Sequence, residues 1–342
     1  MTTDAISPAD PWSVSENQFP SKGTTRDKLK FVLKYAILAP SGHNTQPWLF
    51  KIVDDKIELY ADRTRSLPVV DPDDRELIIS CGAALYHLEL AIHHFGYEYV
   101  VEFITDMRTD LLVRIGIGAM REQRNDECLL FRAITKRRTN RRKFSDKKIP
   151  DSLLRRFDDA ATENGVWLHV ATEEQIHTIA DLIADGDRIQ MSDKSFRREL
   201  ASWTHSNRSH SKDGMPGYAF GVGDLMSYVG PFIVRTFDLG KGQSAKDREL
   251  ARSCHNLAVL GTGTDKPQDW LWTGMALAKI LLMARAENIW CSFLNQPIEV
   301  TALRSRLSTL LSKDGLPQLL MRMGYGEDVK PTPRRPVDDV LH

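Results

Sequence analysis

Three stretches concentrate the side chains that could do chemistry. The first, Ala39-Pro40-Ser41-Gly42-His43-Asn44-Thr45-Gln46-Pro47-Trp48, crowds Ser, His, Asn, Thr and Gln into a tight loop that runs into a Trp. So many specific donors and acceptors exceed what a surface turn needs, and loops held between rigid elements are where binding groups concentrate. The second, Lys136-Arg137-Arg138-Thr139-Asn140-Arg141-Arg142-Lys143-Phe144, interleaves guanidinium forks with a hydroxyl and an amide. That is the donor set a fixed phosphate or a polyol chain requires, although a solvated basic face or an RNA patch has the same composition. The third, Pro331-Thr332-Pro333-Arg334-Arg335-Pro336, holds a basic pair on a stiff, extended backbone.

Other chemistries lack their patterns. GxSxG, HExxH and GxGxxG are absent, so acyl transfer, a helix-borne metal site and a Rossmann dinucleotide site have no support. No metal ligand set is expected. His93 and His94 are neighbours on a helix and point apart, which suits packing better than metal binding. Cys81, Cys128, Cys254 and Cys291 are scattered, with no CxxC pair, and read as small buried hydrophobes or ordinary thiols.

The elements that position these stretches follow from periodicity. Leu29, Phe31, Val32, Tyr35, Ala36 and Leu38 predict a helix that Pro40 must stop, and Trp48 to Val53 predicts a strand. Asp54-Asp55 turns the chain into a second strand, Lys56 to Tyr60. Asp73 or Asp74 can cap a very apolar helix from about Glu76 to Phe95, expected to be buried on more than one side. Strands follow at Tyr97–Ile104 and Leu111–Ile117. Residues 1–24, rich in Pro, Ser, Asp and Thr, predict an extended arm.

The chain then repeats itself. Leu111-Leu112-Val113-Arg114-Ile115-Gly116-Ile117-Gly118 returns as Leu319-Leu320-Met321-Arg322-Met323-Gly324-Tyr325-Gly326, matching at both leucines, the arginine and both glycines. Cys81-Gly82-Ala83-Ala84-Leu85 is echoed by Thr273-Gly274-Met275-Ala276-Leu277, and Trp48-Leu49 by Trp167-Leu168. The second copy lacks the polar loop. Order-preserving matches predict two α+β copies forming a fused dimer, or pseudo-dimer, with a single surviving site where the three stretches converge on a phosphate-bearing cofactor. The copies are expected at residues 25–125 and 126–342. The second carries an insertion at about 193–269, whose glycines and aromatics suit either a lid or a solvent loop.

Composition bounds the remaining classes. The 342 residues suffice for roughly two domains. Lys plus Arg equals Asp plus Glu at 46 each, so no net field favours nucleic acid or a membrane surface. No run approaches the ~20 apolar residues of a membrane span, and Met1 to Ala5 begin no signal peptide. A cytoplasmic location is expected.

With these residues assembled, the chain resembles the nitroreductase superfamily of FMN-binding proteins, and within it the branch that fuses two modules in one polypeptide. The likeness rests on Ala39 to Trp48, similar to the family's Ala-Pro-Ser-x-x-Asn-x-Gln-Pro-Trp loop. It rests also on Arg138 to Phe144, with Asn140 where Ser is usual, and on the pair Arg334-Arg335. The resemblance implies a three-layer α+β fold with antiparallel-rich sheets. It implies that Arg138, Asn140 and Arg142 hold FMN, that Arg334 and Arg335 add charge at its phosphate, and that Pro40, Ser41, Asn44 and Gln46 pack along the flavin from the other module. Ser292, Asn295 and Gln296 fall where the family places backbone donors facing flavin N5. The implied reaction carries electrons from NAD(P)H through FMN to a small acceptor such as a nitroaromatic or quinone. Some fused members of the family bind FMN without nicotinamide turnover. One FMN per chain is implied, in a monomer that could associate further.

Overall fold

A computed structural model describes residues 10–104 and 109–342. Helix α1 (Thr25–Ala36) begins with a reciprocal cap: the Thr24 hydroxyl accepts from the Asp27 N–H while the Asp27 carboxylate accepts from the Thr24 N–H. Strands β1 (Trp48–Val53) and β2 (Lys56–Ala61) form a hairpin whose turn residues, Asp54 and Asp55, both have positive φ, matching the twist of the strands. Helix α2 (Arg75–His94) is buried almost throughout. Asp74 occupies its N-cap position in a left-handed conformation without a side-chain capping bond, its carboxylate being paired with Arg63. The capping falls instead to Asp71, whose carboxylate accepts from the Leu77 N–H at 3.0 Å. Strands β3 (Tyr97–Phe103) and β4 (Leu111–Met120) complete an antiparallel sheet of order β1-β2-β4-β3.

Helix α3 (Asn125–Ile134) leads into the second half, which opens with α4 (Asp151–Thr162) and β5 (Val166–Val170). An inserted segment follows: α5 (Glu173–Ser192), α6 (Lys194–Ser202), the short pair β6 (Thr204–His205) and β7 (Met215–Pro216), α7 (Asp224–Thr236) and α8 (Gly240–Arg252). The chain then resumes with β8 (Asn256–Thr262), α9 (Pro267–Ala286), β9 (Ile289–Phe293), α10 (Gln296–Glu299), α11 (Thr301–Leu311) and β10 (Leu316–Tyr325). This sheet has the order β5-β8-β10-β9, again antiparallel throughout, so both halves run first-second-fourth-third.

Helices α2 and α9 cross between the two sheets at the echoed glycines. A Cβ on Gly82 would lie 2.1 Å from the Leu271 carbonyl oxygen, and one on Gly274 would lie 2.0 Å from that of Ile79. The reciprocity is that of a two-fold contact, in which the same surface meets itself. One apolar core containing the inner faces of both sheets surrounds this crossing, with Trp48, Phe50, Leu85, Leu282, Val113 and Met321 in it.

Three sequence expectations need correcting. The insertion lies between β5 and β8, not at about 193–269, because β8 is an inner strand of the second sheet flanked by β5 and β10. Trp48 and Trp167 are not equivalent: Trp48 faces the main core while Trp167 packs on the opposite face of its sheet, under the inserted helices. Side chains alternate along a strand, so a one-residue offset changes face. Finally, the N-terminal arm is packed where it is described. Trp12 is only 6% exposed and Phe19 stacks on Phe95 at 4.0 Å; residues 1–9 lie outside the described residues.

His93 and His94 are packing residues, as expected: His94 stacks on Phe131 at 3.6 Å and binds Glu16, and His93 sits between Glu98 and Glu127. All four cysteines are free thiols. Among the described residues no helix is long and apolar enough to cross a membrane, and no group of three or more His, Cys, Asp or Glu could hold a metal ion.

Candidate functional site

Two crossovers build the site at the seam between the sheets. Residues 137–143 leave α3 and run along the edge of the second sheet, where Thr139 bridges Cys291 in β9. The C-terminal segment leaves β10, passes the polar loop and joins the first sheet, where the Phe50 N–H donates to Val340 at 2.7 Å and Leu341 bridges Phe50. Each half thus lends a strap to the other.

The polar loop itself is held in sparsely populated backbone conformations, with φ of 48° at His43, 56° at Asn44 and 53° at Gln46. Its side chains supply the compensation. Ser41 Oγ accepts from the Gln46 N–H at 2.9 Å. Asn44 Nδ2 donates to the Gly214 and Pro333 carbonyls, and its Oδ1 accepts from Arg334 at 2.6 Å. Gln46, fully buried, donates to the Lys212 carbonyl at 2.9 Å and accepts from the Arg335 N–H at 2.8 Å. Asn44 and Gln46 therefore staple three pieces of chain together: the loop, the inserted segment and the C-terminal strap.

Around this staple lie two adjoining chambers. The first, about 380 Å³, is lined by Arg137, Arg138, Arg141, Arg142, Lys143, Lys246, Lys330 and Arg334, and by no Asp or Glu among the described residues. Pro40, Ser41, Asn44, Trp12, Met215, Tyr218 and Phe220 complete its wall. None of Arg137, Arg138, Arg141 and Arg334 forms an ion pair among the described residues; Arg334 is instead spent on the Ala39 and Pro333 carbonyls, Thr332 and Asn44, with Nε unpartnered. Burial, and for Arg334 the neighbouring guanidiniums, lowers these side chains' affinity for protons, taking Arg138 and Arg141 down to about 10, where both stay charged at neutral pH. Four desolvated guanidiniums with no ion pair among the described residues are unfavourable alone and become favourable around an anion.

The second chamber, about 460 Å³, shares Pro40, Ser41, Thr139, Arg141, Met215, Phe220, Lys246 and Leu250 with the first and extends under the inserted helices. Its wall mixes apolar groups (Ile79, Ala83, Phe196, Leu200, Leu277, Leu319) with Ser292, Asn295, Gln296 and buried carboxyls. Asn295 is fixed by bonds to Glu76 and the Leu320 N–H; Gln296 Nε2 donates to both Asp187 and Asp247, at 3.0 and 3.1 Å. Burial, reinforced by Asp247, pushes the Asp187 carboxyl up to about 7. Burial lowers His43 to about 4, so its imidazole is neutral.

The structure brings together most of the residues singled out in the sequence. Pro40, Ser41, Asn44, Arg138, Arg142 and Arg334 line the first chamber, and Ser292, Asn295 and Gln296 the second. Gln46, Asn140 and Arg335 line neither. Asn140 is fully buried, donating to the Glu327 carbonyl and accepting from the Arg142 N–H. Arg335 turns to the Gln46 and Asp339 carbonyls and lies 3.7 Å from Asp62. Arg141, Trp12, Tyr218, Phe220, Lys246 and Arg322 were not foreseen. For Arg322 the signal existed, because it is the arginine of the repeated strand. Trp12 had none.

Fold and site define an α+β protein with two like sheets and a basic cleft at their seam. No family model matches the chain. A Mycobacterium tuberculosis protein named as a candidate NAD(P)H nitroreductase is 31% identical over 330 residues, 94% of this chain and 92% of the relative. The chain belongs to the nitroreductase family. Solved structures similar to it include the FMN-dependent nitroreductase NfnB of Mycobacterium smegmatis in complex with NADPH, 13% identical with a TM-score of 0.41, covering 64% of this chain and 99% of that one. A candidate nitroreductase from Anabaena variabilis is 9% identical with a TM-score of 0.47, covering 89% of this chain and 88% of its own.

Proposed function

We propose that this chain is an NAD(P)H-dependent oxidoreductase of the nitroreductase type that holds one FMN at the seam of two fused modules and reduces a flat, apolar acceptor such as a nitroaromatic or quinone. The observation that carries this reading is the pair of chambers: a basic pocket, lined by no Asp or Glu among the described residues, opening into a larger, mostly apolar one. An amphipathic ligand with a phosphate at one end and an aromatic ring system at the other matches that division. Arg138, Arg141 and Arg334 would meet the phosphate, with Pro40, Ser41 and Asn44 along the ligand. Ser292, Asn295 and Gln296 would line the ring's chamber. Asn140, Gln46 and Arg335 act indirectly, by holding the straps. When bound, FMN supplies two-electron transfer between nicotinamide and acceptor; the protein fixes its position and keeps water out.

A second reading has its own support. The inserted segment is latched over the chambers by Asn44 and Gln46 and by the Arg65–Asp213 ion pair, as a closed lid would be. A flavin-holding protein with little turnover is consistent with that latch. Anaerobic titration of the FMN-loaded chain with NADPH separates the two: bleaching of the flavin band, and its return on adding a quinone, is expected for the reductase. Retained FMN without bleaching would select the closed flavin-holding protein, and failure to retain FMN would overturn both.

A further inference from the structure

The Trp12 indole contacts two of the cations that line the basic chamber. The Arg138 guanidinium carbon is 3.8 Å from the indole centroid and that of Arg334 is 4.8 Å away. The indole is 6% exposed, and its Nε1 donates to the Thr332 carbonyl at 2.9 Å, on the strap that carries Arg334. At the other end, Asp10 accepts the Trp12 backbone N–H at 3.0 Å and starts the short helical turn Pro11–Ser13. Buried arginines are ordinarily steadied by carboxylates. Here neither arginine has an ion pair among the described residues; Asp10 and Asp328 act on Arg138 only at longer range.

A carboxylate in that place would orient the guanidiniums and also cancel them. An aromatic face orients a cation through its quadrupole while leaving the formal charge in place, and Trp is the strongest such partner. We propose that Trp12 is a positioning residue for the anion chamber: it orients Arg138 and Arg334 as a neutral substitute for a carboxylate, leaving their charge for the ligand's phosphate. The inference rests on the FMN reading for the identity of that ligand, while its claim concerns phosphate.

The test compares FMN with riboflavin, the same ring system without the phosphate. Wild type, Trp12→Leu and Trp12→Phe are titrated with each by fluorescence. For W12L, loss of a desolvated double cation–π contact is expected to weaken FMN about ten-fold and leave riboflavin unchanged. W12F, retaining a weaker aromatic face, should lose about three-fold for FMN only. Equal losses for both ligands would make Trp12 merely structural and overturn the proposal, as would unchanged FMN affinity. If W12L does not fold, W12F decides by the same criterion. If wild type takes up no FMN, the functional reading falls and inorganic pyrophosphate decides this one. A thermal midpoint raised by pyrophosphate in wild type but not in W12F or W12L supports it, and an equal response or none overturns it.

Discussion

Arg114 and Arg322 occupy the same position of the repeated strand, β4 in one sheet and β10 in the other, and have opposite fates. Arg114 faces Glu58 across β2 at 2.8 Å on a solvent-facing surface, with its side chain 38% exposed. Arg322 is 1% exposed, stacks on Phe144 at 4.2 Å and donates to the Asn140 and Arg142 carbonyls, fixing the turn that presents the arginine motif. The difference comes from what covers each sheet. The first buries one face, so β1 alternates between buried and open positions; the second is covered on its outer face by the inserted helices and α11, and β8 is buried at every position. One architecture thus yields an open-faced half and a covered half, once an extra layer seals the outer face of the latter.

That comparison can be broken at several strengths. Gly82→Ala and Gly274→Ala test the symmetry itself. Each places a methyl inside the opposing helix's carbonyl, and each should cost about 3 kcal/mol by denaturant unfolding, with similar values at the two positions. A mild or strongly unequal cost would contradict a reciprocal crossing. Arg322→Met and Arg114→Met test the asymmetry. Losing Arg322 leaves two carbonyls of the arginine motif without their donor and should cost about 3 kcal/mol together with most of the FMN affinity, whereas losing Arg114 should leave the unfolding midpoint unchanged. Equal effects would remove the distinction. A further test concerns the inserted layer. The Asp187 carboxyl is raised by burial and Asp247 from 3.8 to about 7, so the folded state binds the extra proton between those values. Stability then falls as pH rises through that window and levels off above it. Asp187→Asn should flatten this part of the thermal midpoint curve; an unaltered slope would assign it to another group.

Much of the site was legible because its chemistry is local. The polar loop, the arginine run and the terminal basic pair each announce themselves by composition, and the structure gathers all three at one cleft. The assignments within them were less secure. The family resemblance pointed to Arg138, Asn140 and Arg142, but the chain pairs with β9 at Thr139 and then turns, which buries Asn140 and aims Arg141 into both chambers. Asn44 and Gln46 were conspicuous as ligand groups, yet most of their hydrogen bonds go to other pieces of chain.

The sequence by itself determined the strand and helix order of the first half, the repeat, the buried central helices and the existence of a single polar loop, because periodicity, proline stops and identities are properties of neighbouring residues. Only the tertiary structure decided which face of a strand is covered, where the insertion begins and ends, and that Trp12 from the N-terminal segment meets arginines at positions 138 and 334. Those outcomes depend on contacts between segments far apart in the chain, and no local pattern encodes which distant surface an indole or a guanidinium will meet.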